Sequence, residues 1–236
     1  MNTQIEDKLI EANNLREKEQ YGESVKLFTE SLHALVPDGD SSQLIHCLSG
    51  QSLVYKILIR ENNHSIYRHL TLAFAKEAYE VAKINQDKLT NNAYSTACMS
   101  FADALHMDGQ TAAALPFFEE ALATSTADKP TNGRIKSHIG VVKYLLGEKE
   151  AGINLIIESL ADIRTGDLSS YPIRVWETGA LNSLAKIHAR EGNWEEAQKT
   201  AQESLQISTD HNLSIRKREA EDILAQISSG KTDFSL

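Results

Sequence analysis

An all-α fold, a stack of antiparallel helix pairs, is what three features of this sequence predict. Apolar residues recur three and four positions apart with little strict alternation, the period of a helix with one buried face. Breakers are sparse, with only 4 prolines and 12 glycines in 236 residues, so long stretches run uninterrupted. A tripeptide of glutamate, a small residue and then Leu or Tyr also returns five times: Glu30-Ser31-Leu32, Glu77-Ala78-Tyr79, Glu120-Ala121-Leu122, Glu158-Ser159-Leu160 and Glu203-Ser204-Leu205. Internal recurrence at this scale is the mark of a repeat architecture.

Taken in order, the pattern places helices near 3–18, 22–36, 41–61, 64–85, 88–108, 111–124, 131–146, 149–163, 170–191, 194–209 and 212–228. Pro37-Asp38-Gly39-Asp40 reads as a turn followed by Ser41 or Ser42 as N-cap. Asp128-Lys129-Pro130, Thr165-Gly166-Asp167 and Ser169-Ser170-Tyr171-Pro172 are further breaks with turn and cap chemistry. Pro116 falls inside 111–124, where it lacks an amide hydrogen and crowds the carbonyl of Ala112, so a late start or a bend is expected.

The small residues of the five tripeptides lie 47, 43, 38 and 45 positions apart. Seven positions before each stands another residue of modest size: Ser24, Thr71, Ala114, Gly152 and Ala197. Three before each lie Phe28, Ala75, Phe118, Ile156 and Ala201. Residues seven apart share a helix face, so two small side chains there let a neighbouring backbone come close. Gly109, Gly147 and Gly192 stand twelve before the small residue in three of the units, where a helix must end and reverse; the second unit has Ile66 there. The preceding helices carry Ala12, Ala102, Gly140 and Ala185 at the matching level, and Ile59 in the second unit. Each unit is therefore a helix hairpin. A single hairpin cannot cover its own apolar face, so successive hairpins stack into a solenoid. The last helix has Ile215, Ile223, Leu224 and Ile227 on one side and Arg216, Lys217, Glu219 and Asp222 elsewhere, which suits a cap on the exposed end. The units run at about 5–38, 41–86, 88–126, 131–165 and 170–210, with the cap at 212–228, making 1–228 one domain and 229–236 a flexible tail.

Composition narrows the chemistry. Lys plus Arg number 24 against 33 Asp plus Glu, a net charge of -9, and no basic run exceeds Arg216-Lys217-Arg218. The electrostatic footprint of a nucleic-acid or anionic-membrane binder is missing. The amino end is polar and acidic, and no apolar stretch approaches a membrane span, so a cytoplasmic protein is expected. Cys47 and Cys98 are too few for a disulfide framework or a structural zinc site, and their offset along neighbouring helices predicts free thiols.

Sites for metals, cofactors and catalysis are not legible. His64 and His69 are five apart, roughly 140° around a helix, so their rings diverge. Asp38-Gly39-Asp40 opens like a calcium loop, but Gln43 and Ser49 stand where the sixth-position glycine and twelfth-position glutamate belong. Gly147 to Gly152 has the outer glycine spacing of a phosphate loop, yet Ile153 replaces the lysine. Glu119-Glu120 and Glu195-Glu196 are adjacent carboxylates that point about 100° apart on a helix, as a solvated face does. No catalytic residue, metal or cofactor is assigned. Trp194, at a helix start, is expected in the core.

With these residues on the page, the chain resembles the tetratricopeptide repeat family along nearly its whole length. The fifth unit fits best, through Leu181, Leu184, Ala185, Gly192, Trp194, Ala197 and Ser204; the third follows with Phe101, Ala102, Leu105, Gly109, Ala114, Phe118 and Ala121. The resemblance implies that the first helix of each pair lines a concave groove. Its inward positions are Lys56 and Arg60 in the second unit, Met99, Ser100 and Asp103 in the third, Arg134, His138 and Val141 in the fourth, and Asn182, Lys186 and Arg190 in the fifth. Trp176, seven before Ser183, joins them. This set is mostly cationic, which suits a peptide with acidic side chains or a free C-terminal carboxylate. It partly resembles the carboxylate clamp of heat-shock co-chaperones, with Lys56 and Arg134 at basic positions; Arg60 and Ser100 replace asparagines there, and His138 an arginine. The expectation is a nonenzymatic scaffold for a protein or peptide partner. Two alternatives stay open: a ligand-responsive sensor resembling bacterial peptide-pheromone receptors, and a homo-oligomeric structural subunit.

Overall fold

The computed structural model describes residues 3–36, 39–62, 64–90 and 92–236. Among them are eleven α-helices and no strand: α1 (Thr3–Glu17), α2 (Tyr21–Leu35), α3 (Ser41–Asn62), α4 (Ser65–Ile84), α5 (Ala93–Met107), α6 (Thr111–Thr124), α7 (Lys129–Leu145), α8 (Lys149–Ile163), α9 (Tyr171–Arg190), α10 (Trp194–Asp210) and α11 (Ser214–Ser228). The chain divides into two compact units, residues 1–126 with three helix pairs and residues 127–236 with two pairs and α11.

The small residues sit where the hairpins need them. Ser24, Ser31, Thr71, Ala78, Ala114, Ala121, Ser159, Ala197 and Ser204 are all buried, as are Phe28, Ala75, Phe118, Ile156 and Ala201. So are Ala12, Ala102 and Ala185 on the partner helices, and Ile59 in the pair without a turn glycine. Several of these contacts are polar as well as close. Ser24 Oγ donates to the carbonyl of Ala12 at 2.7 Å, and Ser95 Oγ to that of Ala121 at 2.7 Å. At Ser24 and Ser95 the hydroxyl is satisfied on the facing backbone where an alanine would only fill space, whereas Ser159 bonds Ile156 O of its own helix and Ser31 Oγ has no partner.

The reversals share one geometry. Gly109, Gly147 and Gly192 take positive φ, and the next residue's N–H returns to a carbonyl five back: Gln110 to Leu105, Glu148 to Lys143, Asn193 to His188. That is the left-handed cap that closes a helix and turns the chain. In the first pair Glu19 occupies this place at φ 60, with Gln20 N–H bonded to Leu15 O at 2.9 Å. The second pair departs: Ile66 lies inside α4, which starts from an extended His64.

Other expectations are corrected. The helix foreseen at 88–108 is a 3-10 turn, Gln86–Lys88, followed by α5; Ser42 Oγ accepts the Thr90 N–H at 2.9 Å just ahead of α5. Ser42 is thereby taken from capping, and Asp40 Oδ1 accepts the Gln43 N–H at 3.0 Å instead. Asp38 and Pro37 of that turn lie outside the described residues. α6 does not start late: Pro116 is an exposed member of a helix that begins at Thr111, and Ala112, whose carbonyl loses its donor, is exposed too, so water can meet it. Trp194 is not core but 37% exposed. Residues 231–236, within the stretch read as a flexible tail, carry no helix, and Phe234 among them is buried in a cluster with Ala185, Ala189, Ala197, Ala201 and Ile223.

Candidate functional site

In the first unit, the inward positions of α3 and α5 meet as an ion pair. Lys56 Nζ lies 2.7 Å from Asp103 Oδ2, with each side chain 13% exposed. Met99 is buried on α5, Ser100 half-buried and Arg60 exposed. The cation at Lys56 is thus met by this protein's own carboxylate, and the wall holds less uncompensated charge than its residue types suggest.

In the second unit, α7 and α9 bring Arg134 and Trp176 together, the guanidinium 5.6 Å from the ring centroid. A cation over indole holds the ring in place, and Trp176 packs on the cluster that contains Val141, Leu181 and Leu184. His138, one turn beyond Arg134, is half-buried. Along α9, Asn182 is 1% exposed, and neither its Oδ1 nor its Nδ2 has a hydrogen-bond partner. Gly179 and Lys186, three before and four after, share its face. Lys186 Nζ is 3.1 Å from Glu219 Oε1, whose other oxygen takes Arg216 at 2.8 Å, and a Cβ on Gly179 would meet the Arg216 guanidinium at 3.4 Å. α11 therefore lays a chain of ion pairs beside the bare amide.

Toward the end of α9, the Arg190 guanidinium lies 5.7 Å from the Tyr144 ring centroid and donates to the Phe234 carbonyl at 3.3 Å. Tyr144 donates to Glu191 at 2.6 Å, and Lys149 reaches the same oxygen at 2.8 Å. Burial and the Glu191 bond push the Tyr144 phenol up to about 12, so it stays a donor at any physiological pH.

Sequence reasoning missed Arg216, Glu219, Phe234 and Leu236. The one signal for the last two was Phe234-Ser235-Leu236, alternating apolar residues in an otherwise polar end. Among the described residues no group of three or more His, Cys, Asp or Glu could hold a metal ion, and no helix is long and apolar enough to cross a membrane.

Against this geometry, the family model described as a tetratricopeptide repeat matches residues 180–212, from mid-α9 through α10. That stretch is similar to a single tetratricopeptide repeat. The matched stretch is the unit whose sequence fits the pattern best, and the tetratricopeptide fold is found along the rest of the chain in solved structures. A Rap protein complexed with Competence and Sporulation Factor is 12% identical, with TM-score 0.71 over 95% of this chain and 64% of that one. The chain thus spans under two thirds of the Rap protein's length. A thermophilic TPR protein of Thermus thermophilus, TTC0263, is 17% identical, with TM-score 0.61 over 92% of this chain and 98% of that one. BtubC from P. vanneervenii is 14% identical, with TM-score 0.54 over 100% and 95%. No curated protein sequence matches the chain.

Proposed function

We propose that this chain is a nonenzymatic tetratricopeptide scaffold whose second compact unit, residues 127–236, holds an extended peptide against α7 and α9. The observation that carries the reading is Asn182: a buried side-chain amide with donor and acceptor both unpaired. Leaving such a group bare costs roughly 1–3 kcal/mol, which a fold tolerates where a ligand supplies the partners. An extended peptide offers an N–H and a C=O per residue and matches both atoms at once. Arg134 and Trp176 add an apolar and cationic anchor, the residue types that dominate binding energy. Arg134, Lys186 and Arg190 favour acidic side chains or a terminal carboxylate, to the extent that Glu219 leaves Lys186 charge to share. The compartment proposed is the cytoplasm.

The test is binding of a fluorescent peptide array, acidic and neutral, with free and amidated C-termini, to the full chain and to N182A. Removing a bare buried amide leaves melting temperature unchanged or raised while weakening binding at least tenfold. A lower melting temperature with unchanged affinity means Asn182 is structural, and the reading fails.

The sensor alternative is favoured by the Lys186–Glu219–Arg216 chain, which couples α11 to the helix that carries Asn182, so a ligand that also engages Lys186 competes with α11. Increased hydrogen exchange in α11 on peptide binding supports it; an unchanged α11 leaves a rigid scaffold. Chain mass in solution tests the homo-oligomer.

A further inference from the structure

After α11 the chain reverses at Gly230, whose φ is 72, with Lys231 N–H bonded to Gln226 O at 3.1 Å. This is the left-handed cap of the repeats, and here it is followed by six residues outside any helix, 231–236, that return to the second unit. Phe234 is 4% exposed in a recess lined by Ala185, Ala189, Ala197, Ala201 and Ile223. Four alanines give that recess the depth of a phenyl ring. Ser235 is exposed, and Leu236 packs on the cluster of Val141, Tyr144, Leu184 and Ile187. Alternation of a buried, an exposed and a half-buried residue, the outer two packed on apolar clusters, fits a chain read from one side with a period of two. Arg190 holds its backbone at the Phe234 carbonyl. The tail therefore meets one inward position expected from the sequence, Arg190, and packs on the cluster that contains another, Val141.

We propose that this surface is a recognition site for a peptide with apolar side chains two residues apart. Residues 231–236 are its resident occupant, and a partner's peptide of the same chemistry binds by displacing them. The proposal rests on the peptide-scaffold reading and names that site's ligand class. Ordering six residues offsets most of what burying two side chains supplies, so an occupant joined to α11 by a turn is exchangeable. Tethering also raises its effective concentration, which sets the threshold that a partner must exceed.

The experiment uses the full-length chain and its F234S/L236S variant, with a fluorescein-labelled hexapeptide Lys-Thr-Asp-Phe-Ser-Leu as probe. The hexapeptide binds the variant at least tenfold more tightly than the unsubstituted chain, and the same peptide with both apolar residues changed to serine binds neither. Equal affinity for the two proteins, or no binding to a folded variant, overturns the proposal. Should the double variant not fold, excess hexapeptide added to the unsubstituted chain must accelerate hydrogen exchange at amides 232–236; unchanged exchange overturns the proposal as well. The two readings fail separately. Array peptides that bind the unsubstituted chain and the variant equally leave the scaffold standing and overturn the resident tail. A hexapeptide that binds the variant but that no array peptide displaces overturns the external ligand.

Discussion

Gly140 and Gly152 face each other with no room for a side chain: a Cβ on Gly152 would lie 2.5 Å from the Gly140 carbonyl oxygen, and one on Gly140 2.7 Å from that of Gly152. This is the fourth unit's version of the contact that Ala12 and Ser24 make in the first. The obstruction is backbone, which cannot swing aside as a side-chain tip would.

Alanine at Gly152 is therefore expected to destabilise despite its better helix propensity. Overpacking costs about 1–3 kcal/mol, outweighing the ~1 kcal/mol that alanine contributes over glycine in a helix. Leucine at Ala121, also fully buried, should cost at least as much. Urea denaturation monitored by circular dichroism reads both; a neutral result at both positions contradicts the close approach of α7 to α8 and α5 to α6.

Glu19 holds the left-handed conformation that glycine holds in three later turns, at φ 60. A non-glycine residue there carries about 1–2 kcal/mol of steric cost, part of which glycine returns as unfolded-state entropy. E19G is expected to stabilise by roughly 0.5–1 kcal/mol, read as a rise in the denaturation midpoint with unchanged slope.

Glu19 also shows what the sequence could and could not disclose. Its place twelve before Ser31 is fixed by the repeat, but only coordinates reveal that the turn keeps its geometry without glycine. The helices and their buried small faces were legible because they follow a 3.6-residue period. Pairings between helices were not. Gly50 is small because Phe28 of α2 fills its space, a Cβ there lying 2.4 Å from the ring, and this contact has no fixed sequence offset. Likewise nothing in the order of residues sets Asp103 beside Lys56 or Glu219 beside Lys186, and the cationic wall looked stronger for it. Trp194 fits the repeat pattern yet remains partly in solvent, because a pattern records a position and not what covers it.

Acid should act on stability in two stages. Burial lowers the His188 pKa below its ordinary 6.5, against the opposing pull of Glu196, and burial does the same to His46 against Asp40 and Glu6. Below 6.5 the unfolded chain binds protons that the folded chain resists, so stability is full above that pH and declines as pH falls toward the depressed folded values. Asp162 belongs to the second stage: burial alone would raise its carboxyl, but Lys136 and Lys129 hold it below 3.8, so its contribution is lost only below that pH. Melting temperature followed from pH 7.5 to pH 3 should fall in both windows. H188Q should shrink the first to the share of His46 and leave the second unchanged; an unaltered first stage assigns it to other groups.

Cys47 and Cys98 supply a clock for opening of the first unit. Both are free and buried. Burial pushes the Cys47 thiol up to about 12, and it donates to the Phe28 carbonyl at 3.0 Å; Cys98 is pushed up to about 12 by burial and then by Glu120. A thiol that is both protonated and covered attacks a disulfide reagent only through an opened state, so labelling reads the population of that state when reclosing is fast. In C98S, Cys47 alone reports on α3. Combined with A121L, its labelling should accelerate about tenfold for each 1.4 kcal/mol of stability lost, provided α3 opens with α5 and α6. The helices are joined by packing that makes this the expected result: Cys47 lies in a cluster with Phe28 and Val54, and its neighbours Ile45 and Leu48 on α3 pack with Ala93 and Ala97 of α5. Labelling that ignores A121L while the equilibrium unfolding midpoint falls would mean that α3 opens locally, ahead of the unit that contains it.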